Sequence, residues 1–386
     1  MLNRKLRMGM IGGGPGAFIG AVHRIAAVMD GQIELVCGAF SSDPEKSKQA
    51  GELLNLPAQR VYSSYKEMIR AERSLPPDQQ MEFVSIVTPN HVHFEPARLA
   101  LEHGFHVVLD KPMTFDLREA AELRDIAQKT GLYLCLTHTY TGYPMVKEAR
   151  QQVLSGRLGK IRKVYVEYPQ GWLSSFLEGG DNKQAAWRTD PKQSGIAGAM
   201  GDIGTHAYNL AEYVTGLQVR QLCADINVVV EGRQLDDDGA VLLRFDNGAS
   251  GVLMATQVAT GEENNIRIRV YGEKGSLEWM QEDANSLLLR WPDKPLEVWR
   301  TAAGYTSGLS RHNTRVPPGH PEGYLEAFAN LYRNFALTVK AKLGGIEPTP
   351  EMLDFPGVED GVRGMNFIEK VIASGKSTQK WTDFDK

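Results

Sequence analysis

The first 140 residues alternate short apolar runs with stretches of helical periodicity, and this alternation constrains the fold more than any other feature of the chain. Each run is apolar at nearly every position, which is typical of strands buried on both faces of a parallel sheet. Helices between the strands would cover those faces, so an α/β fold with a doubly wound domain over residues 1–140 is predicted. The predicted strands are 6–11, 33–40, 83–88, 106–110 and 133–137, and the main predicted helices are 18–29, 44–54, 95–103 and 117–130.

Beyond residue 140 the chain has a different pattern, in which long strand-like runs are joined by turn sequences. The predicted strands here are 161–168, 221–230, 240–245, 250–259, 266–271 and 276–280. Asp-Asn-Gly at 246–248 and Gly-Glu-Lys-Gly at 272–275 are hairpin turns, which join antiparallel neighbours. A second, α+β domain with a large, mostly antiparallel sheet is therefore predicted over residues 141–386, for substrate binding and oligomerisation. An open apolar face of that sheet predicts a homo-oligomer, a dimer or a tetramer. Helices starting near Met145, Asp202, Tyr324 and Gly357 are expected to cover the other face.

The composition limits the functions that the chain can have. It has 386 residues and a formal net charge of −4, without the basic patch of nucleic-acid-binding proteins, so no nucleic-acid partner is expected. No apolar run approaches the roughly 18 residues that span a membrane, and the first run is too short for a signal peptide. We expect a cytoplasmic protein. Cys37, Cys135 and Cys223 lie far apart, which predicts neither a disulfide framework nor a metal site.

The turn between the first strand and the first helix, GGGPGAFIG at 12–20, is rich in glycine. Glycines permit a tight turn and let the backbone approach a pyrophosphate at the helix N-terminus, which favours a Rossmann domain that binds NAD or NADP. The third glycine of GxGxxG falls on Ala17, and Gly20 comes three residues late. A plain turn is the alternative, but the position after the first strand favours a dinucleotide. The predicted cofactor contacts are Gly12, Gly14, Gly16, Phe18 and Ile19.

Ser41 and Ser42 follow the second strand, where many NAD-binding domains have an acidic residue that holds the ribose. These hydroxyls together with Lys46 can hold a 2′-phosphate, which leans toward NADP. Asp43 has two open roles, since it can reach the ribose or cap the following helix. The sequence leaves the choice between NAD and NADP open.

Polar residues also follow the third, fourth and fifth predicted strands. The carboxyl ends of parallel strands meet at one edge of a sheet, where ligands bind, so these residues are predicted to line one site. We expect structural rather than catalytic roles for His91, His93 and, elsewhere in the chain, His320. The predicted cofactor contacts at this edge are Thr88, Pro89, Asn90, His93, Asp110 and Lys111.

Several motifs resemble those of the glucose–fructose oxidoreductase and inositol dehydrogenase family, often called Gfo/Idh/MocA. Thr-Pro-Asn-x-x-His lies at 88–93, and Asp-Lys-Pro at 110–112 stands where the family has Glu-Lys-Pro. Trp-Arg-Thr-Asp-Pro at 187–191 and Asp-Ile-Gly-Thr-His at 202–206 resemble its Trp-Arg-x-x-Pro and Asp-x-Gly-x-His motifs. The resemblance covers essentially the whole chain. It implies an NAD(P)-dependent dehydrogenase of a sugar, a sugar derivative or a cyclitol, whose catalytic residues are Lys111, His206 and Asp202.

The chemistry of these three side chains suits that reaction. A histidine can take the proton of a carbinol during hydride transfer to nicotinamide, and a lysine cation favours the developing alkoxide. If a helix starts at Asp202, this carboxylate and His206 lie four residues apart on one face. Ordinary alternatives are a surface histidine at a helix start, an exposed lysine after a strand and an N-cap aspartate. The shared spacing favours one site.

The stretch 169–194 is long, polar and without clear periodicity, which is typical of a functional loop. Tryptophan faces suit the C–H surface of a sugar ring, and an arginine can hold an acidic substituent, although Trp187 also suits core packing. The acidic run at 236–238 predicts a solvated loop. The predicted substrate contacts are Tyr140, Tyr143, Trp172, Trp187, Arg188, Asp202 and His206.

Two other functions stay open. Some proteins of the resembled family are glycosidases that keep NAD bound and act by oxidation, elimination, hydration and re-reduction. Tyr140, Tyr143 or His138 would then serve as a further acid–base. The third possibility is a catalytically silent regulator that senses a sugar or a dinucleotide, and the intact Lys111 and His206 argue against it.

Overall fold

The computed structural model describes residues 2–384, which form two compact units. One unit comprises the chain up to Thr139 together with Leu325–Val362, and the other comprises Tyr140–Tyr324 together with the chain from Arg363 onward. The sequence predicted one domain for everything after residue 140, whereas residues 325–362 return to the first unit. Within the described range, no helix combines the length and apolar character needed to cross a membrane.

The first unit contains a five-stranded parallel sheet. Its strands are β1 (Leu6–Gly12), β2 (Ile33–Ala39), β3 (Phe83–Val87), β4 (His106–Leu109) and β5 (Leu134–Leu136). Its helices are α1 (Phe18–Val28), α2 (Pro44–Leu53), α3 (Tyr65–Ser74), α4 (Phe94–Glu102) and α5 (Leu117–Thr130). The strand order β2-β1-β3-β4-β5 places a topological switch between β1 and β3, where ligands bind in open α/β sheets. The predicted fold class is confirmed, although α3 was not predicted.

Side-chain caps fix where several helices of this unit begin. Asp116 Oδ1 accepts the N–H of Glu119 at 2.8 Å at the start of α5, and Ser64 Oγ accepts the N–H of Glu67 at 3.2 Å at the start of α3. Helix α5 ends at Gly131, which has a φ of +62°. Each N-cap of this kind stabilises a helix by about 1 kcal/mol.

The second unit contains a nine-stranded sheet. Its strands are β6 (Ile161–Pro169), β7 (Val219–Asn227), β8 (Asp238–Phe245), β9 (Ser250–Thr256), β10 (Arg267–Gly272), β11 (Ser276–Met280), β12 (Ser286–Arg290), β13 (Glu297–Arg300) and β14 (Thr382–Asp383). The strand order is β13-β12-β11-β10-β6-β9-β8-β7-β14, and β6 pairs in parallel with β9 while the remaining neighbours pair antiparallel. The mostly antiparallel sheet is confirmed, although β12, β13 and β14 were not predicted.

The helices after residue 140 are α6 (Pro144–Leu154), α7 (Lys183–Arg188), α8 (Pro191–Ser194), α9 (Thr205–Thr215), α10 (Gly308–His312), α11 (Tyr324–Leu343) and α12 (Val358–Gly375). Helix α9 packs on β6, β9 and β10, and α6 packs on β11 and β12, so one face of the sheet is covered. In the second unit, the C-terminal part of α12 lies against α9, where Phe367 stacks on Tyr208 with ring centroids 4.6 Å apart.

Helix α11 packs differently from the prediction, which placed it on the sheet of the second domain. Within the first unit its residue Phe335 lies edge-on to Phe83 of β3 with ring centroids 5.1 Å apart. Tyr332, one turn earlier, places its hydroxyl 2.7 Å from Ser85 Oγ, also on β3. These buried contacts explain why residues 325–362 belong to the first unit.

Candidate active site

The glycine loop joins β1 to α1 with Gly12, Gly13 and Gly16 in the left-handed region, at φ +79°, +67° and +81°. A Cβ added to Gly12 would lie 2.3 Å from the carbonyl oxygen of Val87 at the end of β3. A Cβ added to Gly14 would lie 2.7 Å from the carbonyl oxygen of Phe40, just after β2. At Gly16 it would meet nothing within 4 Å, so the backbone there is open. Ala17 gives α1 no side-chain cap, which leaves the first N–H groups of α1 suited to a pyrophosphate.

Phe18 and Ile19 open α1, and the Phe18 ring is 71% exposed beside the loop. An added Cβ on Gly20 would lie 2.4 Å from Gly13 Cα, so only glycine permits this approach of helix to loop. Close packing is the role of the third glycine in a dinucleotide motif. Gly20 therefore takes that role from a later position than GxGxxG prescribes, and the loop fits a dinucleotide.

The side chains that follow β2 form hydrogen bonds with the start of α2. Ser41 Oγ accepts the N–H of Asp43 at 3.1 Å, and Asp43 Oδ1 accepts the N–H groups of Glu45 and Lys46 at 3.0 and 3.3 Å. Lys46 Nζ lies 3.8 Å from Asp43 Oδ2 on the surface, and the adjacent Ser42 is exposed. Of the two roles open to Asp43, the helix cap is the one that this structure contains.

His93 ties the loop after β3 to the loop after β4. It is fully buried, with Nδ1 2.8 Å from the carbonyl oxygen of Pro112 and Nε2 2.9 Å from that of Thr88. Burial lowers the pKa of His93, although the charge of Asp110 and the two carbonyl groups oppose this shift. These contacts suit the structural role expected for His93. Pro89 and the buried Asn90 lead into the short 3-10 helix that precedes it.

Asp110 and Lys111 follow β4 at the same edge of the sheet. Asp110 Oδ1 accepts the N–H of Lys111 and the hydroxyl of Thr137, each at 2.9 Å, so the acid holds the main chain of the lysine and the end of β5. Burial raises the pKa of Asp110, but its electrostatic interactions with His23, Lys111 and His93 and its hydrogen bond from Thr137 outweigh this effect and bring the pKa below its usual value. Asp110 is therefore ionised at neutral pH.

His138 lies just beyond β5 and is buried. Burial and the charge of Lys111 lower its pKa to about 3, against a raising effect of Asp110. A histidine with this pKa is neutral near pH 7 and is poorly suited to donate a proton in catalysis.

In the second unit, His206 is the second residue of α9 and is 8% exposed. Its ring lies edge-on to Tyr140 with centroids 4.9 Å apart. The hydroxyl of Tyr140 shares a hydrogen bond with that of Tyr168 and accepts one from Asn264 Nδ2 at 3.2 Å. Burial raises the pKa of Tyr140, so it is a neutral hydroxyl near pH 7. Tyr143 is buried, with its ring parallel to that of Tyr140.

Asp202 does not start an α-helix, which corrects the prediction for this segment. It lies in a π-helical turn, Met200–Gly204, and α9 begins only at Thr205. The glycines in this turn have low helix propensity, which favours the wider turn over a regular start. Asp202 Oδ2 accepts the N–H of Gln257 Nε2 at 2.9 Å and pairs with Arg188 Nε at 3.5 Å.

The acidic run at 236–238 is not a solvated loop, contrary to the prediction. Asp236 is 6% exposed, and its carboxylate oxygens accept the N–H groups of Gly198 and Met200 at 2.6 and 2.7 Å. Its own carbonyl oxygen accepts the N–H of Ala199 at 2.8 Å. Asp236 therefore binds three successive N–H groups at the start of the turn that carries Asp202.

An amide network extends this cluster. Gln170 Oε1 accepts two hydrogen bonds, one from the indole N–H of Trp172 at 3.0 Å and one from the amide Nε2 of Gln257 at 3.4 Å. Arg188 lies over the ring of Trp187 at 4.3 Å from its centroid. The second unit thus brings together Tyr140, Trp172, Trp187, Arg188, Asp202 and His206 of the predicted residues.

Sequence reasoning missed Tyr168, Gln170, Gln257 and Asn264. They lie at or just beyond the ends of β6 and β9 and before β10. Tyr168 Oη donates to Asn264 Oδ1 at 2.7 Å, which joins the tyrosines to the amides. Polar residues where antiparallel strands end were the available signal, but turn residues have the same composition, so the pattern alone did not distinguish them.

The glycine loop, the open start of α1 and the polar edge define the first unit as a dinucleotide-binding domain. Residues 6–138 match a family model described as an oxidoreductase family with an NAD-binding Rossmann fold, and residues 146–278 match the GFO/IDH/MocA C-terminal domain. Both matches name the same group of enzymes.

Individual relatives agree. The uncharacterized oxidoreductase YfiI of Bacillus subtilis is 32% identical over 389 residues, which cover 100% of this chain and 98% of the relative. Levoglucosan dehydrogenase of Pseudarthrobacter phenanthrenivorans is 28% identical over 342 residues, or 83% and 82% of the two chains. The structure of an inositol dehydrogenase homolog from Azotobacter vinelandii with NADH and myo-inositol is 32% identical, with a TM-score of 0.91 over 99% of this chain and 98% of that chain.

The chain belongs to the Gfo/Idh/MocA family of oxidoreductases, as its motifs predicted, and its first unit is an NAD-binding Rossmann domain.

Proposed function

We propose that the protein is an NAD(P)-dependent dehydrogenase that oxidises a hydroxyl-bearing carbon of a sugar, a sugar derivative or a cyclitol. The observation that carries the proposal is the set of neutral hydrogen-bonding groups around His206 and Asp202, namely the hydroxyls of Tyr140 and Tyr168 and the amide of Gln257. Such groups suit the hydroxyls of an uncharged polyol. The names of two relatives, levoglucosan dehydrogenase and an inositol dehydrogenase homolog, support the same substrate class.

An uncharged substrate also follows from the cation of this cluster. Arg188 is paired with Asp202 at 3.5 Å and stacked on Trp187, so binding an acidic substituent would require it to leave the aspartate. Separating a partly buried pair costs more than an exposed one, because the remaining charge loses solvation. We therefore expect neutral polyols to be better substrates than phosphorylated or carboxylated sugars.

In the proposed reaction, His206 accepts the proton of the reacting hydroxyl while Lys111 donates a hydrogen bond to the same oxygen and favours its negative charge. Asp202, oriented by Gln257, would accept a hydrogen bond from a neighbouring hydroxyl of the substrate. When bound, NAD supplies the hydride acceptor.

Two substitutions test these roles. Lys111→Met and His206→Asn are each expected to lower kcat for the best polyol at least about a hundredfold, since general acid–base groups contribute about 10²–10⁴-fold. The affinity of His206→Asn for NAD, measured by calorimetry, should stay unchanged. Lys129→Met and His320→Asn are matched controls at exposed positions. Full turnover of myo-inositol, levoglucosan or glucose by Lys111→Met would overturn the assignment.

NAD is proposed as the preferred cofactor over NADP. The carboxylate of Asp43 and the hydroxyl of Ser41 both face the start of α2, and Lys46 lies beside that carboxylate. A 2′-phosphate brought to these residues would meet the negative charge of Asp43, which costs binding energy. A comparison of Kd values for NAD and NADP tests this preference.

A homo-oligomer is proposed through the open face of the nine-stranded sheet. Leu242 of β8 and Val298 of β13 are 45% and 49% exposed, which is costly for a single chain in water. Leu242→Arg is expected to lower the mass measured by sedimentation, whereas Leu53→Arg, at a 74% exposed position of α2, should not. An unchanged mass for Leu242→Arg would exclude this face.

We further propose a cytoplasmic location. Cys37, Cys135 and Cys223 are all free thiols, which suits a reducing compartment. Cell fractionation tests this location, and recovery outside the cytoplasm would contradict it.

A further inference from the structure

His23 of α1 is a fully buried histidine that the proposed reaction does not use. Its Nδ1 lies 2.7 Å from the hydroxyl of Tyr332 and 3.3 Å from Ser85 Oγ. Its Nε2 has no hydrogen-bond partner within the described part of the chain and lies 3.9 Å from Asp110 Oδ2. A buried polar atom without a hydrogen-bond partner destabilises the folded state, so this arrangement requires an explanation.

The neighbours of His23 decide where its proton lies. Burial lowers the pKa of His23 to about 4, so the ring is neutral near pH 7 and carries one N–H. Burial also raises the pKa of Tyr332, which keeps its hydroxyl protonated. Ser85 Oγ, 2.7 Å from the Tyr332 oxygen, can donate to it, so that Tyr332 donates to His23 Nδ1 and the proton stays on Nε2. The opposite tautomer would turn a lone pair toward the carboxylate of Asp110 and repel it.

The carboxylate is thereby held on both sides. Its Oδ1 accepts the N–H of Lys111 and the hydroxyl of Thr137, and its Oδ2 faces the Nε2–H of His23. At 3.9 Å the last contact is an attraction between an ion and an N–H dipole rather than a hydrogen bond, and burial strengthens it. This third contact favours the present orientation of the carboxylate, whose Oδ1 accepts the main-chain N–H of Lys111.

We propose that His23 is a positioning residue for Lys111. Tyr332 of helix α11, hydrogen-bonded to Ser85, sets the tautomer of His23 on α1, and His23 holds the carboxylate of Asp110, which positions the lysine. The inference rests on the proposed role of Lys111 in the reaction. Tyr332, in the segment 325–362, then contributes to catalysis without contacting the substrate.

Substitutions at His23 test the inference. His23→Asn removes the N–H at the ε position and is expected to lower kcat about tenfold, because the partly buried carboxylate of Asp110 loses an ion–dipole contact. His23→Gln keeps an N–H donor at that distance along the side chain, so its kcat should lie within about threefold of that of the unmodified protein. Tyr332→Phe keeps the ring but loses the donor that sets the tautomer, and should resemble His23→Asn. The Kd for NAD should be unchanged in all three variants.

Further measurements separate positioning from a general loss of stability. His106→Asn, at another buried histidine of the same unit, is the matched control and should lower the melting temperature without lowering kcat. The ¹⁵N chemical shifts of the His23 ring, identified by their absence in His23→Gln, should show the proton on Nε2, and Tyr332→Phe should shift it toward Nδ1. A proton on Nδ1 in the unmodified protein, or equal kcat values for the Asn and Gln variants, would overturn the inference.

The inference and the proposed function fail in different ways. An active Lys111→Met variant would reject the role of the lysine and, with it, the positioning role of His23. An inactive Lys111→Met variant combined with full activity of His23→Asn and Tyr332→Phe would reject only the role of His23.

Discussion

Asp236→Ala tests how the turn that carries Asp202 is held. The substitution removes two carboxylate oxygens that accept the buried N–H groups of Gly198 and Met200 at 2.6 and 2.7 Å. Each hydrogen bond to a charged group contributes about 1.5–3 kcal/mol, and the orphaned N–H groups stay buried. Burial raises the pKa of Asp236, so relief of its desolvation offsets part of this loss. We expect the free energy of unfolding to fall by about 2–4 kcal/mol.

A loss of this size lowers the melting temperature by about 5–15 °C, since about 2–4 °C accompany each kcal/mol in a unit of 150–250 residues. Because small displacements of catalytic groups are costly, kcat should also fall at least about tenfold. Differential scanning calorimetry and steady-state kinetics on the same preparation measure both effects. Asp236→Asn keeps one acceptor, so its melting temperature and kcat should lie between those of Asp236→Ala and those of the unmodified protein.

Asp225→Ala, at an exposed aspartate of β7, is the control and should change the free energy of unfolding by less than about 0.5 kcal/mol. The reasoning is refuted if Asp236→Ala unfolds within about 1 kcal/mol of the unmodified protein. It is also refuted if the variant loses stability and retains full kcat, because the turn would then not depend on the carboxylate.

Three further predictions follow from the contacts of the two units. Asp43→Ser should keep the cap of α2 and leave the Kd for NAD unchanged, whereas Asp43→Ala should cost about 1 kcal/mol of stability; a weaker Kd in Asp43→Ser would identify a ribose contact. Gln257→Leu removes the donor to Asp202 and should raise KM for the polyol about tenfold at constant NAD affinity, and an unchanged KM would exclude this orienting role. His106 and His138 each have a folded pKa lowered to about 3, below the usual value of about 6.5. Their neutral forms stabilise the fold above that usual value, and this stability is lost as the pH falls toward about 3. Chemical denaturation at several pH values should show the decline, and His106→Gln should weaken it; a pH-independent stability in this range would contradict both values.

The architecture could be predicted because its signals are local. Mostly apolar runs separated by helical periods specified the parallel sheet, and the turns at 246–248 and 272–275 specified hairpins. The strands at 286–290 and 297–300 were missed because they are short, with five and four residues. The prediction of family and cofactor rested on motifs, which are also local.

Contacts distant in sequence could not be predicted. The return of residues 325–362 to the first unit depends on Tyr332 and Phe335 meeting β3, and amphipathic helices give no indication of which sheet they cover. Asp236 was taken for a solvated residue because acidic runs are usually exposed, and only the fold brings it to the N–H groups of 198–200. The π-helical turn at 200–204, whose first N–H this carboxylate accepts, likewise had no signal in the local sequence.

Transfer of deuterium tests the central claim most directly. The protein is incubated with NAD and with perdeuterated myo-inositol or another deuterated neutral polyol, and the nicotinamide is analysed by mass spectrometry. We predict one deuterium on the nicotinamide for each polyol oxidised, with transfer abolished in Lys111→Met and His206→Asn. Release of the alcohol from a deuterated glycoside with return of the deuterium to the sugar and no net reduction of NAD, or binding of polyols without any transfer, would contradict a dehydrogenase.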